Sequence, residues 1–382
     1  MPRKIIIAST EITTGGLGSY LMNLMEGLHV RGWEIHLLIS NVRGDSFDRV
    51  KKAVKCYDLS EVALSPKKVF MAADLANSIK PDVILMNNCA LMHYSIPLLE
   101  LKTRPISVLH SDDPRFYAIG ALFSRRIFRW IAPTAGLATR FQEYIGQNLH
   151  DRVRVIPHGI DRRRFFPERT RRRGSSFQIL FAGFLGESKG ADLLPDIFQR
   201  VAAEIPDAFL TIVGDGPLRA QLGAEFEKRG LLQRTLFSGA VSPDETAATM
   251  RASDVLLLPT NLEGFGMVIV ESMMCGAVPV ISRLPGVTDQ LVKEGETGLL
   301  VNPRDNNGFA EAVKRLYRDE ELRQTISANA QKTAAGTFSL ETMIDRYESL
   351  FAEPLDESAR NKKSIPGWYG EAAVEYLRKR LR

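Results

Sequence analysis

Pro259-Thr-Asn-Leu-Glu263-Gly-Phe-Gly-Met-Val-Ile-Val-Glu271-Ser-Met-Met-Cys275-Gly-Ala-Val-Pro-Val280 is the stretch from which this chain is best read. The apolar run Val255 to Leu258 in front of it reads as a buried strand. The turn Gly264-Phe265-Gly266 then opens a helix-like run. Glycine at a strand-to-helix turn lets a ligand approach the backbone, and the first N–H groups of the helix point outward, so the unit suits an anion. Glu263 and Glu271 flank that turn and would repel a bare phosphate. They fit a ligand that carries both phosphate and hydroxyl groups, as a nucleotide-sugar does. The plainer alternative is that both carboxylates only complement the helix dipole.

Working outward, the same strand–turn–helix pattern recurs. Lys4 to Ala8 precedes Gly15-Gly16-Leu17-Gly18 and an amphipathic run from Ser19 to Arg31. Gln178 to Ala182 precedes Gly183, Lys189-Gly190 and a helical run from Ala191 to Ile205. Strand-like runs follow at 34–39, 83–86, 106–109 and 154–156, then at 209–213, 235–238, 255–258 and 278–281. Strands alternating with helices predict parallel sheets covered on both faces. The expected class is α/β, with two Rossmann-like doubly wound domains facing each other across a cleft. Their expected bounds are 1–170 and 177–355. The segment from Arg162 to Ser176, rich in Arg, Pro, Gly and Ser, reads as the linker. A last helix is expected at about 366–382, packing back onto the first domain.

The 382 residues suffice for two ordinary domains, and 45% hydrophobic with 25% charged residues is normal for a globular enzyme. No apolar run is long enough to span a membrane. Three scattered cysteines, Cys56, Cys89 and Cys275, suggest neither a disulfide framework nor a zinc site, and suit a cytoplasmic protein. The net charge of +5 is gathered in arginine clusters, which reads either as a solvated face or as a surface for an anionic partner.

Several residues stand where ligands of such folds bind, beyond the carboxyl ends of strands. Lys189 offers a fixed cation for a leaving diphosphate, though the order of a P-loop is absent and a surface lysine is the simpler reading. Gly264, Phe265, Gly266 and Met267 offer backbone donors. Glu271, one turn into the helix, tilts back toward its start and can accept from a ribose diol. Glu263 is placed for the sugar. His110 ends the run Ile106 to Leu109 and is followed by Ser111, Asp112 and Asp113; a lone histidine is more often structural, but its position favours a site role. Gly16 and Gly18, Gly183, and Gly214 with Asp215 close the set as donor-binding candidates, and Phe237 to Val241 is a further candidate for packing on a base.

These residues resemble family 4 of the retaining glycosyltransferases (glycosyl transferases group 1), which have the two-domain GT-B fold. The resemblance covers about residues 5–350. It rests on Gly15 to Gly18, His110, Val155 to Asp161 with Phe165, Gly183 to Gly190, Val213 to Pro217, Phe237 to Gly239, Glu263 to Glu271, Cys275 to Val280 and Gly295 to Leu300, in that order and spacing. It implies a retaining transfer of a sugar from a nucleotide diphosphate, with no cofactor and no metal. It also implies His110 and Glu263 near the donor sugar, Lys189 on the phosphates and Glu271 on the ribose. Phe184 departs from the pattern, because the family usually has arginine there; His158 for asparagine and Asp289 for glutamate are milder changes.

The acceptor is expected to be a cell-envelope or capsule-type glycan, or a glycolipid. Phe116 to Trp130, where arginines alternate with aromatic residues, is expected to be a helix meeting an anionic membrane surface, the alternative being a buried helix with one basic edge. A peripheral place on the inner face of the membrane would follow. The competing function is a catalytically degenerate protein that binds nucleotide-sugars or glycans. A nicotinamide enzyme lacks its glycine spacing here, and nucleic-acid binding would leave the paired glutamates without a use.

Overall fold

The computed structural model describes residues 3–13, 15–42, 44, 47–100, 102–167 and 176–355. By its contacts the chain forms two compact units. Among the described residues, one comprises those from 3 to 133, 137–156 and 344–355; the other comprises 134–136 and those from 157 to 343. These divisions, at 156 and 343, stand beside the expected bounds of 170, 177 and 355. Residues 162–167 belong with the second unit, where Arg164 pairs with Asp244 at 2.8 Å and Phe165 is buried. The rest of the expected linker, 168–175, and the expected helix at 366–382 lie outside the described residues.

The first unit holds a sheet of seven parallel strands in the order β3-β2-β1-β4-β5-β6-β7. They are β1 (Lys4–Glu11), β2 (Glu34–Val42), β3 (Lys55–Asp58), β4 (Val83–Asn87), β5 (Arg104–Val108), β6 (Arg129–Ala132) and β7 (Val153–Val155). The second unit holds six, in the order β10-β9-β8-β11-β12-β13. These are β8 (Phe177–Ala182), β9 (Ala208–Val213), β10 (Thr235–Gly239), β11 (Val255–Leu258), β12 (Val278–Ser282) and β13 (Leu299–Val301). Helices alternate with the strands, so each sheet is doubly wound, as expected. Central strands such as Val255-Leu256-Leu257-Leu258 are apolar on both faces because both faces are covered.

In each sheet the order reverses beside the first strand, β1 against β4 and β8 against β11. The loops leaving those two strands run to opposite faces and leave a crevice at their carboxyl ends, where ligands of this fold class bind. In the second unit the crevice lies between the loop from Gly183 to Gly190 and the loop from Pro259 to Gly266.

Three strands escaped the sequence reading. β3 is a polar edge strand (Lys-Cys-Tyr-Asp), and β13 is a mere Leu-Leu-Val. β6 lay hidden in the stretch from Phe116 to Trp130, and here the expectation of one basic, aromatic helix is corrected. The helix Pro114–Gly120 stops early, a 3₁₀ turn spans Ser124–Arg126, and β6 begins at Arg129. Tyr117, Phe128 and Trp130 are buried, and Trp130 Nε1 donates to the Gly120 carbonyl at 2.8 Å. Arg126 donates to the carbonyls of Pro97 and Leu99, both at 3.1 Å, and Arg129 pairs with Glu353. Tyr117, Arg126, Phe128, Arg129 and Trp130 therefore serve the packing of the first unit, while Arg125 is exposed.

Candidate active site

The helix Met267–Cys275 is the best-covered helix at the second crevice; every residue of it except Val268 is buried. Its cap, Gly266, has φ 92°, a left-handed conformation that a side chain would strain. Phe265 beside it is not a mobile turn residue. Its ring is buried against His158 (centroids 5.0 Å apart) and Phe338 (5.9 Å). Only the backbone of Phe265 is thus left for a ligand, together with that of Gly264, Gly266 and Met267. The first-turn N–H groups at Met267 and Val268 lack helical acceptors by geometry, as anion binding at a helix start requires.

Lys189 stands opposite. It ends the short 3₁₀ turn Glu187–Lys189, and Gly190 follows in a left-handed conformation with φ 67°. A Cβ on Gly190 would lie 1.9 Å from the Pro259 carbonyl oxygen, so two main chains touch there. The same two loops are laced by Asn261 and Leu262 N–H groups donating to Ser188 O (2.9 and 3.1 Å) and by Thr260 Oγ1 to Ser188 O at 3.0 Å. This lacing brings Lys189 Nζ to 2.7 Å from Glu263 Oε1. The carboxylate is buried, whereas the lysine side chain keeps 28% of its exposure. The two groups assigned separate tasks from sequence are thus one ion pair at the mouth of the crevice. Replacing Gly190 with alanine is expected to destabilise the second unit by about 1–3 kcal/mol and to loosen this pair; a thermal melt of the variant together with its transfer rate checks both.

Glu271 is 8% exposed. Burial pushes its carboxyl up to about 7, against a weaker downward pull from Arg164. Among the described residues its carboxylate has no hydrogen-bond partner. A buried carboxyl poised at neutrality, with no donor of its own, fits a ligand that brings donors.

The glycine loops beside this pair continue the sheet past its strands. Gly183 N–H donates to Val213 O (3.0 Å), Leu185 N–H to Asp215 O (2.9 Å) and Gly214 N–H to Gly239 O (2.8 Å). The Asp215 carboxylate accepts from Gly216 N–H at 2.7 Å. The Phe237 ring is half-buried, with the Arg219 guanidinium 5.2 Å from its centroid and the Phe226 ring perpendicular to it at 5.7 Å.

In the first unit, His110 follows β5 next to Asn87, the last residue of β4. Asn87 Nδ2 donates to the Ala8 and Leu85 carbonyls (3.3 and 3.4 Å), so its Oδ1 is the acceptor and His110 Nε2–H donates to it at 2.9 Å. Burial lowers the imidazole to about 3, which keeps it neutral at working pH. A group so far from neutrality is a poor general base but a steady hydrogen-bonding one. Of the first glycine cluster, Gly16 is exposed at the start of the helix Gly16–Val30. Gly18 is buried, its Cα side closed by the Thr13 carbonyl, so packing accounts for it. Asn87 was missed from sequence; two polar residues, Asn87 and Asn88, ending an apolar strand were its only signal.

Residues 162–333 match the family described as Glycosyl transferases group 1, and residues 14–164 match Glycosyltransferase Family 4. The chain belongs to this glycosyltransferase family. The glycosyltransferase is 25% identical over 380 residues to the N-acetyl-alpha-D-glucosaminyl L-malate synthase of Bacillus anthracis, covering 92% of this chain and 97% of that one. It is 29% identical over 295 residues to the D-inositol 3-phosphate glycosyltransferase of Geodermatophilus obscurus, covering 72% of this chain and 64% of that one. Its fold matches the Anabaena protein HepE, solved with UDP-glucose, with a TM-score of 0.76 at 20% identity over 92% of this chain and all of that one. The fold is GT-B.

Against that background, the departures in this glycosyltransferase have physical readings. Phe184 is 55% exposed and covers the Cα side of Gly186, so a ring shields the loop where a charge is usual. The Asp289 carboxylate accepts from Gly286 N–H at 2.8 Å, and His158 packs on Phe265; both serve the second unit's own structure. Among the described residues no helix is long and apolar enough to cross a membrane, and the three cysteines are free thiols.

Proposed function

We propose that this glycosyltransferase moves a sugar from a nucleotide-diphosphate donor with retention at the anomeric carbon. The observation that carries the reading is the Lys189–Glu263 pair at the crevice between β8 and β11, with Glu271 buried one turn into the adjoining helix. Lys189 neutralises the departing diphosphate, the first-turn N–H groups of the helix Met267–Cys275 share its charge, and Glu271 accepts from the ribose diol. Glu263 meets the positive charge that develops at the anomeric carbon. His110, neutral and hydrogen-bonded to Asn87, bonds a hydroxyl of the donor sugar. The bond from the anomeric carbon to phosphate oxygen breaks, and the acceptor oxygen bonds to that carbon on the same face. Its proton passes to the departing phosphate oxygen, so no protein nucleophile is needed.

Support for the donor class comes from the UDP and UDP-glucose held by HepE. A thermal-shift series with UDP-, GDP- and ADP-sugars tests it. One donor at 100 times its Kd is expected to stabilise the protein by about 2.7 kcal/mol. No stabilisation by any of them would remove the enzyme reading. Transfer that vanishes in Glu263→Ala would exclude the non-catalytic binder.

The reaction is proposed to need no metal, since Lys189 supplies the cation. Full activity is expected in EDTA; a rate restored only by added Mg²⁺ or Mn²⁺ would overturn that. The acceptor is proposed to be a cell-envelope glycan or glycolipid hydroxyl, on the cytoplasmic side. The relatives named for L-malate and D-inositol 3-phosphate favour a second reading, a small anionic acceptor. An acceptor panel with the stabilising donor separates the two.

A further inference from the structure

The His110 imidazole is held from two directions. Asn87 fixes Nε2 at 2.9 Å, and the ring of Tyr20 lies against the imidazole, centroids 4.9 Å apart and planes tilted by 59°. Tyr20 is itself held at its far end: its hydroxyl is 2.6 Å from that of Tyr347. Both tyrosines are completely buried. Tyr347 stands on the helix Leu340–Ala352, which starts in the second unit and passes into the first at residue 344. In the first unit this helix is fastened by Glu348, which accepts from Trp33 Nε1 (3.0 Å) and Arg3 (2.8 Å), by Asp345 with Arg31 (2.5 Å), and by Phe351 edge-on to Trp33.

Two buried hydroxyls that satisfy each other add little stability over two phenylalanines of the same shape, because each had to leave water to form the bond. What the bond adds is orientation. A phenylalanine ring at position 20 could rock, whereas the Tyr20 ring is pinned at the hydroxyl by a residue of the fastened helix. That ring is one wall of the His110 imidazole.

We propose that Tyr20 and Tyr347 are positioning residues for this glycosyltransferase, fixing the His110 imidazole to the helix Leu340–Ala352 within the first unit; this rests on His110 serving the donor sugar. The test uses the full chain with Tyr20→Phe, Tyr347→Phe and the double variant, read by melting temperature, by kcat and KM with the best-stabilising UDP-sugar, and by the His110 ring signals in NMR. The double variant is expected to keep its melting temperature, whereas each single variant leaves a buried hydroxyl without this bond and should melt lower; all three should keep the donor KM, lose about 3–10-fold in kcat and move the His110 signals. The double variant should be no worse than either single, since the hydroxyls act as one unit. Wild-type kcat with unmoved His110 signals overturns the proposal while a dead His110→Ala keeps the site reading intact. A slower variant with a lower melting temperature and unmoved signals also overturns it, because the pair is then only structural. If His110→Ala transfers normally, the site reading itself fails and the positioning role falls with it.

Discussion

Lys189→Ala is expected to cut the transfer rate by about 10²–10³-fold, the usual cost of removing one preorganised group that stabilises a departing charge. The effect should fall on kcat more than on donor KM, since the diphosphate is most negative as the glycosidic bond breaks. The same change leaves the buried Glu263 carboxylate without its partner at 2.7 Å, and stranding a buried charge costs about 3–5 kcal/mol. The two consequences can be separated. Glu263→Gln keeps an oxygen for Lys189 to donate to and removes the negative charge, so it should melt near the wild type yet transfer slowly. The double variant Lys189→Met, Glu263→Gln strands no charge and should recover the melting temperature but not the rate. Retained transfer in Lys189→Ala would remove the lysine from the site.

Some of this was legible in the sequence, for physical reasons. Val255 to Leu258 and Gln178 to Ala182 announce buried parallel strands because both faces of such a sheet are covered and the whole run must be apolar. Glycines between strand and helix mark the crevice loops. The ion pair between Lys189 and Glu263 could not be read, because residues so far apart in the chain meet only through the lacing of two loops onto Ser188. Phe116 to Trp130 misled because aromatic and basic residues on a membrane helix and in a buried strand with its flanking turns have similar composition. Period decides between them, and the break at the 3₁₀ turn Ser124–Arg126 destroys the period. Asn87 and Tyr20 were missed because their importance lies in what they touch.

Glu271 should make this glycosyltransferase pay in stability for its donor site, and pH exposes that exchange. Its carboxyl is raised to about 7 in the folded chain and returns to the ordinary range near 4.5 on unfolding. Below 4.5 both states hold the proton and the group has no effect. Between 4.5 and 7 the unfolded chain has released the proton while the folded one retains it, so stability falls as pH rises. Above 7 the loss is complete, at about 3 kcal/mol. Glu271→Gln should therefore melt higher than the wild type at pH 8 and alongside it at pH 4.5. Donor binding should follow the opposite course. A ribose diol donates to the ionised carboxylate, so a UDP-sugar, whose diphosphate has no proton to lose near neutrality, should bind about 10-fold more weakly at pH 6 than at pH 8. In Glu271→Gln that slope should vanish, with affinity at pH 8 below that of the wild type. Calorimetry across this range reads both: proton release on binding near pH 6.5 in the wild type, none in the variant. Identical pH profiles for the two proteins would take Glu271 out of the donor site.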